Sequence, residues 1–155
     1  MNNIEDQSNR YQIIWDLGRR CSYACSYCPP HRNNKWSPFL DYDNLCKTMD
    51  NVAEYANLYE RFRKIPSLKK LSFTGGEPTV HPDFFKFLMY CKNTYPDFSR
   101  GLTTNGWFHD SVLDKVLSLT TGGTLSYHCE ATDKMKKQVI SNAITLREKF
   151  KVNVM

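Results

Sequence analysis

The sequence lacks any apolar segment longer than a strand, and its first ten residues, 1–10, are polar. A membrane-spanning helix needs about 20 consecutive apolar residues, and a signal peptide needs a shorter apolar run near its start, so we expect neither. With 41% hydrophobic and 24% charged residues, the composition is that of one globular domain. We therefore expect a cytoplasmic protein with no membrane partner, a polar N-terminal extension over residues 1–10 and a folded domain over residues 11–155.

The chain also has little excess charge. Its formal net charge is +5, and its lysines and arginines are spread along the sequence without a long run or an interleaved aromatic pattern. Nucleic-acid-binding proteins concentrate their basic residues in such patterns, so the sequence argues against a nucleic-acid partner. Lys69 and Lys70 precede the second strand predicted below, and we expect them far from any active site, where they aid solubility.

Short runs rich in β-forming residues predict five strands, at residues 11–17, 71–74, 101–104, 123–127 and 152–155. Apolar residues spaced by three and four predict helices between them. The clearest stripe indicates a helix that begins near Asp41 and contains Leu45, Met49, Val52, Ala56 and Tyr59. Three further stripes are Phe84, Phe85, Leu88 and Cys91; Val112, Leu113, Val116 and Leu117; and Met135, Val139, Ala143 and Leu146.

Strands that alternate with helices indicate an α/β fold built from β/α units with a parallel sheet. The pattern alone permits either a doubly wound sheet or part of a β/α barrel, and both bind ligands beyond the carboxyl ends of their strands. A complete barrel takes about 250 residues. Because this sequence stops on its fifth predicted strand, we expect a truncated or unusually compact barrel.

Three of the six cysteines, Cys21, Cys25 and Cys28, fall within eight residues directly after the first predicted strand. Thiols clustered in this way are typical of metal ligands. A 4Fe-4S cluster usually takes four cysteines, so three would leave one iron open to an exchangeable ligand. His31 could instead complete a Cys3His zinc site. The loop interrupts an apparently well-packed domain, which favours iron and sulfur, since zinc modules are generally small.

The spacing C-x3-C-x2-C, with Tyr27 just before the third cysteine, resembles the signature of the radical S-adenosylmethionine superfamily. Residues 74–78 (TGGEP) and 103–106 (TTNG) resemble two further hallmarks, so the sequence is similar to the branch that carries both. The resemblance implies a partial (β/α) TIM-like barrel. It also implies a 4Fe-4S cluster on Cys21, Cys25 and Cys28, with S-adenosylmethionine as the second cofactor.

The same resemblance implies roles for residues around the cluster. Gly76 and Glu77 would contact the methionyl amino group, Gly75 would allow close backbone approach, and Tyr27 would present its backbone to the adenine. Ser126 matches a position that contacts the ribose or the methionyl part, and Thr103 and Asn105 offer further hydrogen-bonding groups. Without the cysteines, Gly-Gly and Asn-Gly would be ordinary turns. We interpret His128 as an ordinary histidine near a strand end.

The implied reaction is one-electron cleavage of S-adenosylmethionine to a 5′-deoxyadenosyl radical, which abstracts hydrogen from a substrate. The motifs leave that substrate open among peptide modification, deazapurine formation and glycyl-radical activation. Basic residues that flank the cysteines, Arg19, Arg20, Arg32 and Lys35, could attract an acidic flavodoxin or ferredoxin, or simply be solvated. The alternatives are a zinc-stabilised binding module and a cluster-binding fragment without turnover.

Overall fold

The computed structural model describes residues 10–29 and 34–155. Its strands are β1 (Arg10–Asp16), β2 (Leu68–Thr74), β3 (Ser99–Thr104), β4 (Gly122–Tyr127) and β5 (Phe150–Val154). Its helices are α1 (Tyr42–Arg63), α2 (Phe84–Thr94), α3 (Asp110–Leu119) and α4 (Asp133–Leu146), with a short 3-10 helix at Pro78–Val80. Each predicted strand and helix is present. Residues 1–9, most of the predicted extension, lie outside the described residues.

The five strands lie side by side in their sequence order, and all neighbouring pairs are parallel. In a doubly wound sheet the strand order reverses at a switch point, and no reversal occurs among these five strands. Right-handed crossovers that always move to the next strand place their helices on one side of the sheet. The structure therefore confirms the expected fold class, an α/β sheet in the form of a partial barrel.

The two faces of the sheet differ because successive side chains on a strand point in opposite directions. On the helix face, Leu71, Phe73, Leu102 and Leu125 are buried and join the hydrophobic core beneath the helices. The alternate positions form the opposite face, which we call the concave face. It carries Gln12, Lys70, Ser72, Thr103, Thr124, Ser126 and Lys151.

Helix α1 begins where its sequence predicts. Asp41 is the N-cap, and its carboxylate accepts a hydrogen bond of 2.9 Å from the amide of Asn44, satisfying one free donor of the first turn. Leu45, Met49 and Ala56 of the predicted stripe are buried, together with Ala53. Among residues 10–29 and 34–155, no helix has both the length and the apolar character needed to cross a bilayer.

Strand β2 is longer than its apolar residues suggest, since it starts at Leu68 and not at Leu71. Lys69 is accommodated because its ammonium lies 3.2 Å from Glu60 and 2.9 Å from Asp97. Lys70 points to the other face. We expected both lysines to aid solubility, but they occupy different environments. Lys69 is paired with two carboxylates, and Lys70 lies on the concave face.

Candidate active site

The three clustered cysteines follow β1, in the connection that leads to α1. We call residues 18–29 of this connection the cysteine loop. Cys21, Cys25 and Cys28 are half-buried, and all three line one cavity of about 260 Å³ at the carboxyl ends of the strands. Most of the other predicted site residues line the same cavity: Tyr27, Gly75, Gly76, Thr103, Asn105 and Ser126. The fold therefore brings four strand ends together around the cysteines.

The arrangement of the three thiols fits a cluster better than a single metal ion. Within the described part of the chain, no three or more His, Cys, Asp or Glu side chains are grouped closely enough to hold a metal ion. In a cubane cluster each cysteine binds a different iron, so the sulfurs stand further apart than around one ion. Three soft thiols around a shared cavity fit such a cluster. His31, the fourth ligand of the zinc hypothesis, lies outside the described residues.

Burial raises the pKa of the Cys21 thiol at the wall of the cavity. A 3.4 Å hydrogen bond from the amide of Tyr23 to the Cys21 sulfur opposes that change. Burial also raises the pKa of Tyr23 to about 12, so this side chain is a neutral phenol at physiological pH. Both groups are therefore partly desolvated at the wall of the cavity.

The backbone amides of Gly76 and Glu77 hold the cysteine loop against the end of β2. The amide of Gly76 donates to the carbonyl of Gly18 at 2.7 Å, and the amide of Glu77 donates to the carbonyl of Arg20 at 2.8 Å. A Cβ atom on Gly76 would stand 2.1 Å from that Arg20 oxygen, and Gly75 has a φ of +132°. Glycine is therefore required here for packing within the chain, a role that the sequence did not reveal.

Glu77 is buried beside the cavity and is not among the residues that line it. Its Oε1 accepts hydrogen bonds from the Thr79 amide (3.2 Å) and from the hydroxyls of Thr79 (2.7 Å) and Thr104 (2.8 Å). Its Oε2 accepts one from the amide of Asn105, at 2.7 Å. Burial raises the pKa of this carboxyl, and the donated hydrogen bonds act in the other direction. Glu77 thus joins the ends of β2 and β3.

Asn105 joins β3 to the cysteine loop. Its side-chain nitrogen donates to the hydroxyl of Ser22 at 2.9 Å and lies 3.8 Å from the sulfur of Cys21. Its side-chain oxygen accepts from the amide of Trp107 at 2.9 Å, which fixes the orientation of the amide group. The residue is therefore more than an Asn-Gly turn, because it orients the first cysteine.

Residues after β4 make the third connection to the cysteine loop. The carboxylate of Glu130 accepts from the amide of Ser26 at 2.7 Å and from the Ser26 hydroxyl. The ring of His128 stacks on Tyr27, with ring centroids 5.9 Å apart, and its Nδ1 lies 3.4 Å from the sulfur of Cys25 and next to the Tyr27 hydroxyl. Burial lowers the pKa of His128.

The sequence predicts no functional role for His128 and does not indicate Glu130 at all. The one available signal for His128 was that it lies two residues after Ser126 and so shares its face. No local pattern indicates Glu130, because its partner is 104 positions away.

Comparison with known proteins identifies the family. The family model for the radical SAM superfamily matches residues 15–150, so the chain belongs to that superfamily. Members use a 4Fe-4S cluster and S-adenosylmethionine, which confirms the cofactors expected from the motifs. The particular branch and the roles of individual site residues stay predictions.

Two curated relatives and one solved structure are similar to this chain. A GTP 3',8-cyclase from Nautilia profundicola is 30% identical over 99 residues, covering 63% of this chain and 28% of the cyclase. A tungsten-containing aldehyde ferredoxin oxidoreductase cofactor-modifying protein from Pyrococcus furiosus is 32% identical over 109 residues, covering 69% of this chain. BtrN, crystallised with AdoMet and 2-DOIA, superposes with a TM-score of 0.71 at 19% identity, covering 94% of this chain and 56% of BtrN. The chain thus spans 28% of that cyclase's length.

Proposed function

We propose that this chain is the core of a radical S-adenosylmethionine enzyme, with the 4Fe-4S cluster on Cys21, Cys25 and Cys28. The observation that carries the proposal is that these thiols line one cavity with glycines and polar groups from three neighbouring strand ends. Held there and reduced by one electron from an external donor, the cluster would supply the electron that cleaves S-adenosylmethionine to methionine and a 5′-deoxyadenosyl radical, and that radical would abstract hydrogen from the substrate. The protein's own groups bind and orient the cofactor and limit access of water.

The cavity offers suitable groups for the cofactor. Ser126 and Thr103 present hydroxyls from the concave face, and Tyr27 brings its backbone to the rim. Glu77 accepts one hydrogen bond on Oε2 from the described residues, so that oxygen retains capacity for a second, as from an ammonium group. Because Glu77 is buried and does not line the cavity, a local rearrangement around it is needed for that contact.

An acidic electron carrier, a flavodoxin or ferredoxin, is the proposed partner for reduction. Arg19, near the start of the cysteine loop, and Lys35, which follows that loop, are both exposed. Arg20 is less available, because its guanidinium lies 4.3 Å from the centre of the Phe39 ring and donates to the carbonyl of Ser37 at 2.6 Å. Arg32 lies outside the described residues. Two exposed cations support a weak, salt-sensitive encounter, as electron transfer partners need.

Three classes of reaction, each with its own substrate, are candidates for this core. Peptide modification, deazapurine formation and glycyl-radical activation all agree with this core. The cyclase relatives act on GTP, as their name states. This chain has Ser72 on the concave face where those cyclases are expected to carry an arginine, so their nucleotide-binding pattern is not complete here.

The proposal is tested by anaerobic reconstitution with iron and sulfide, reduction with dithionite and assay of 5′-deoxyadenosine from S-adenosylmethionine. The variant in which Cys21, Cys25 and Cys28 are all replaced by alanine should lose both iron and product. The matched control is Cys91→Ala, which removes a buried core thiol that does not line the cavity. Product formation that is independent of the three cysteines would contradict the proposal.

The two alternatives predict different results in the same preparation. A zinc-stabilised binding module would contain about one zinc per chain and no iron after anaerobic purification. A fragment without turnover would hold the cluster and bind S-adenosylmethionine, yet yield no 5′-deoxyadenosine. The half-buried thiols around an open cavity favour the enzyme over the first alternative.

A further inference from the structure

A second cavity, of about 660 Å³, opens on the concave face toward the amino ends of the strands. Arg10 of β1, Lys70 of β2 and Lys151 of β5 all line it. Among its described lining residues Asp97 is the one carboxylate, and Asp97 is paired with Lys69 at 2.9 Å. The cavity therefore has a strongly positive wall that is built from three separate strands.

The three cations are not neutralised within the described ranges. Two other lysines that line the cavity are engaged, because Lys69 pairs with Glu60 and Asp97 while Lys149 donates to the carbonyl of Leu117 at 2.8 Å. The side chains of Arg10, Lys70 and Lys151 make no ion pair and no hydrogen bond with any residue in 10–29 or 34–155. Such charges on a concave wall concentrate anions.

The side chain of Lys70 lies along the concave face beside Gly101 and lines this cavity. Its Cε lies 3.5 Å from the point where a Cβ of Gly101 would stand, so its aliphatic stem crosses β3 on the concave face. The stem is half-buried, while the ammonium at its end is free to contact a ligand. A lysine held over a glycine in this way differs from a lysine that extends freely into solvent.

The second cavity adjoins the cysteine cavity. Thr103 lines the cysteine cavity, and its partner in the neighbouring strand, Thr124, lines the second one. Lys151 is the partner of Thr124 on the next strand. Along β2, Lys70 precedes Thr74 of the cysteine cavity by four residues, or about 13 Å at the rise of a parallel strand. One small molecule can therefore extend between the two.

We propose that the substrate carries a phosphate or diphosphate group that binds between Lys70, Lys151 and Arg10, with its reacting carbon toward the cysteine cavity. The orientation of the reacting carbon toward the cysteine cavity rests on the proposed function, whereas the anion site itself does not. Phosphate fits better than carboxylate because it carries about two charges and three outward oxygens, which matches three cations arriving from different strands. Lysines act at such sites as point charges.

The test uses inorganic pyrophosphate as the probe, titrated by calorimetry into the protein without added cluster, at low and at moderate salt. We expect one saturable site. Lys70→Gln and Lys151→Gln should each weaken binding about tenfold or more, because each removes a charge-assisted contact. Lys137→Gln, which removes the same charge from the exposed side of α4, should leave binding unchanged. Succinate in the same titration should bind much more weakly than pyrophosphate.

Equal weakening by all three substitutions would indicate only a general charge effect and would overturn the proposal, as would a lack of saturable binding. Succinate binding as tight as that of pyrophosphate would overturn the choice of phosphate. Thermal unfolding of each variant checks that the fold is intact, which is expected because neither Lys70 nor Lys151 belongs to the core. Pyrophosphate binding without 5′-deoxyadenosine formation would remove the proposed function and leave the anion site.

Discussion

The two faces of the sheet are built from the same strands and have opposite chemistry. On the helix face, Phe73 and Leu125 are fully buried in a continuous apolar core. On the concave face, their neighbours Ser72 and Ser126 contact polar groups or a cavity. Because strand side chains alternate, one run of residues can stabilise the fold on one side and bind ligands on the other. Substitutions one position apart should therefore have unrelated effects.

The largest difference in stability is expected between substitutions at two adjacent residues of β2, Phe73 and Ser72. Phe73→Ala removes a fully buried ring that packs against Trp15, Phe84 and Phe87, and should lower the free energy of unfolding by about 3–5 kcal/mol. Ser72→Ala removes one 3.3 Å hydrogen bond from Gln12 on the concave face and should cost less than about 1 kcal/mol. Denaturant unfolding of both variants measures this, and similar losses would contradict the separation of the faces.

A smaller loss of stability is expected when Gly76 at the end of β2 is replaced by alanine. Gly76→Ala places a Cβ against the Arg20 carbonyl, which must move together with the cysteine loop, and we expect a loss of about 1–3 kcal/mol and less bound iron. The control is Gly101→Ala, whose Cβ would have its nearest neighbour at 3.4 Å, so the fold should tolerate it. Stability and iron content together check the prediction. A stable Gly76→Ala protein with full iron would show that the loop is not held there.

Glu77→Gln should have an effect of the same order or less. The amide group of glutamine would direct donors toward hydroxyl and amide groups that now donate to the carboxylate, at a cost of about 1–2 kcal/mol. Binding of S-adenosylmethionine should weaken as well if Oε2 accepts from its ammonium group. Thr79→Val, which removes one donor and keeps the carboxylate, separates the two effects, because it should reduce stability without reducing cofactor affinity.

The smallest expected effect is at Glu130, which is exposed and holds Ser26 of the cysteine loop. These hydrogen bonds lower the pKa of its carboxyl below the ordinary value of 4.5. A carboxyl with a lowered folded-state pKa stabilises the fold above its ordinary pKa, and the contribution is lost as pH falls through the lowered value.

Amide exchange at Ser26 should accordingly be faster in Glu130→Gln than in the parent near neutral pH, and the difference should vanish in acid. Glu54→Gln on the exposed side of α1 is the control. A difference that persists in acid would show that the carboxylate charge is not what holds the loop.

Much of the fold could be predicted from the sequence, since the strand runs and helix stripes are local patterns. These local patterns do not predict the order of the strands, because crossovers of similar length can lead to either neighbour, and only the family resemblance implied a barrel. For the site, the cysteines and the residues at 74–78 and 103–106 were found through their motifs, and the structure places most of them around one cavity. Whether they hold the cofactors as expected stays a prediction.

The missed features depend on contacts between distant parts of the chain. Glu130 and His128 meet the cysteine loop across about a hundred residues, so no local spacing predicts these contacts, although the spacing from Ser126 places His128 on the same face. Lys70 resembles any surface lysine in sequence, and its place on the concave face follows only from the start of β2 at Leu68 and the gap left by Gly101.

The most direct measurement of the central claim is electron paramagnetic resonance of the anaerobically reconstituted, reduced protein before and after addition of S-adenosylmethionine. If Cys21, Cys25 and Cys28 hold a 4Fe-4S cluster with one open iron, the reduced protein gives a cluster signal whose shape changes when the cofactor binds. A signal that is unaffected by S-adenosylmethionine, or a protein that retains no iron, would contradict the account.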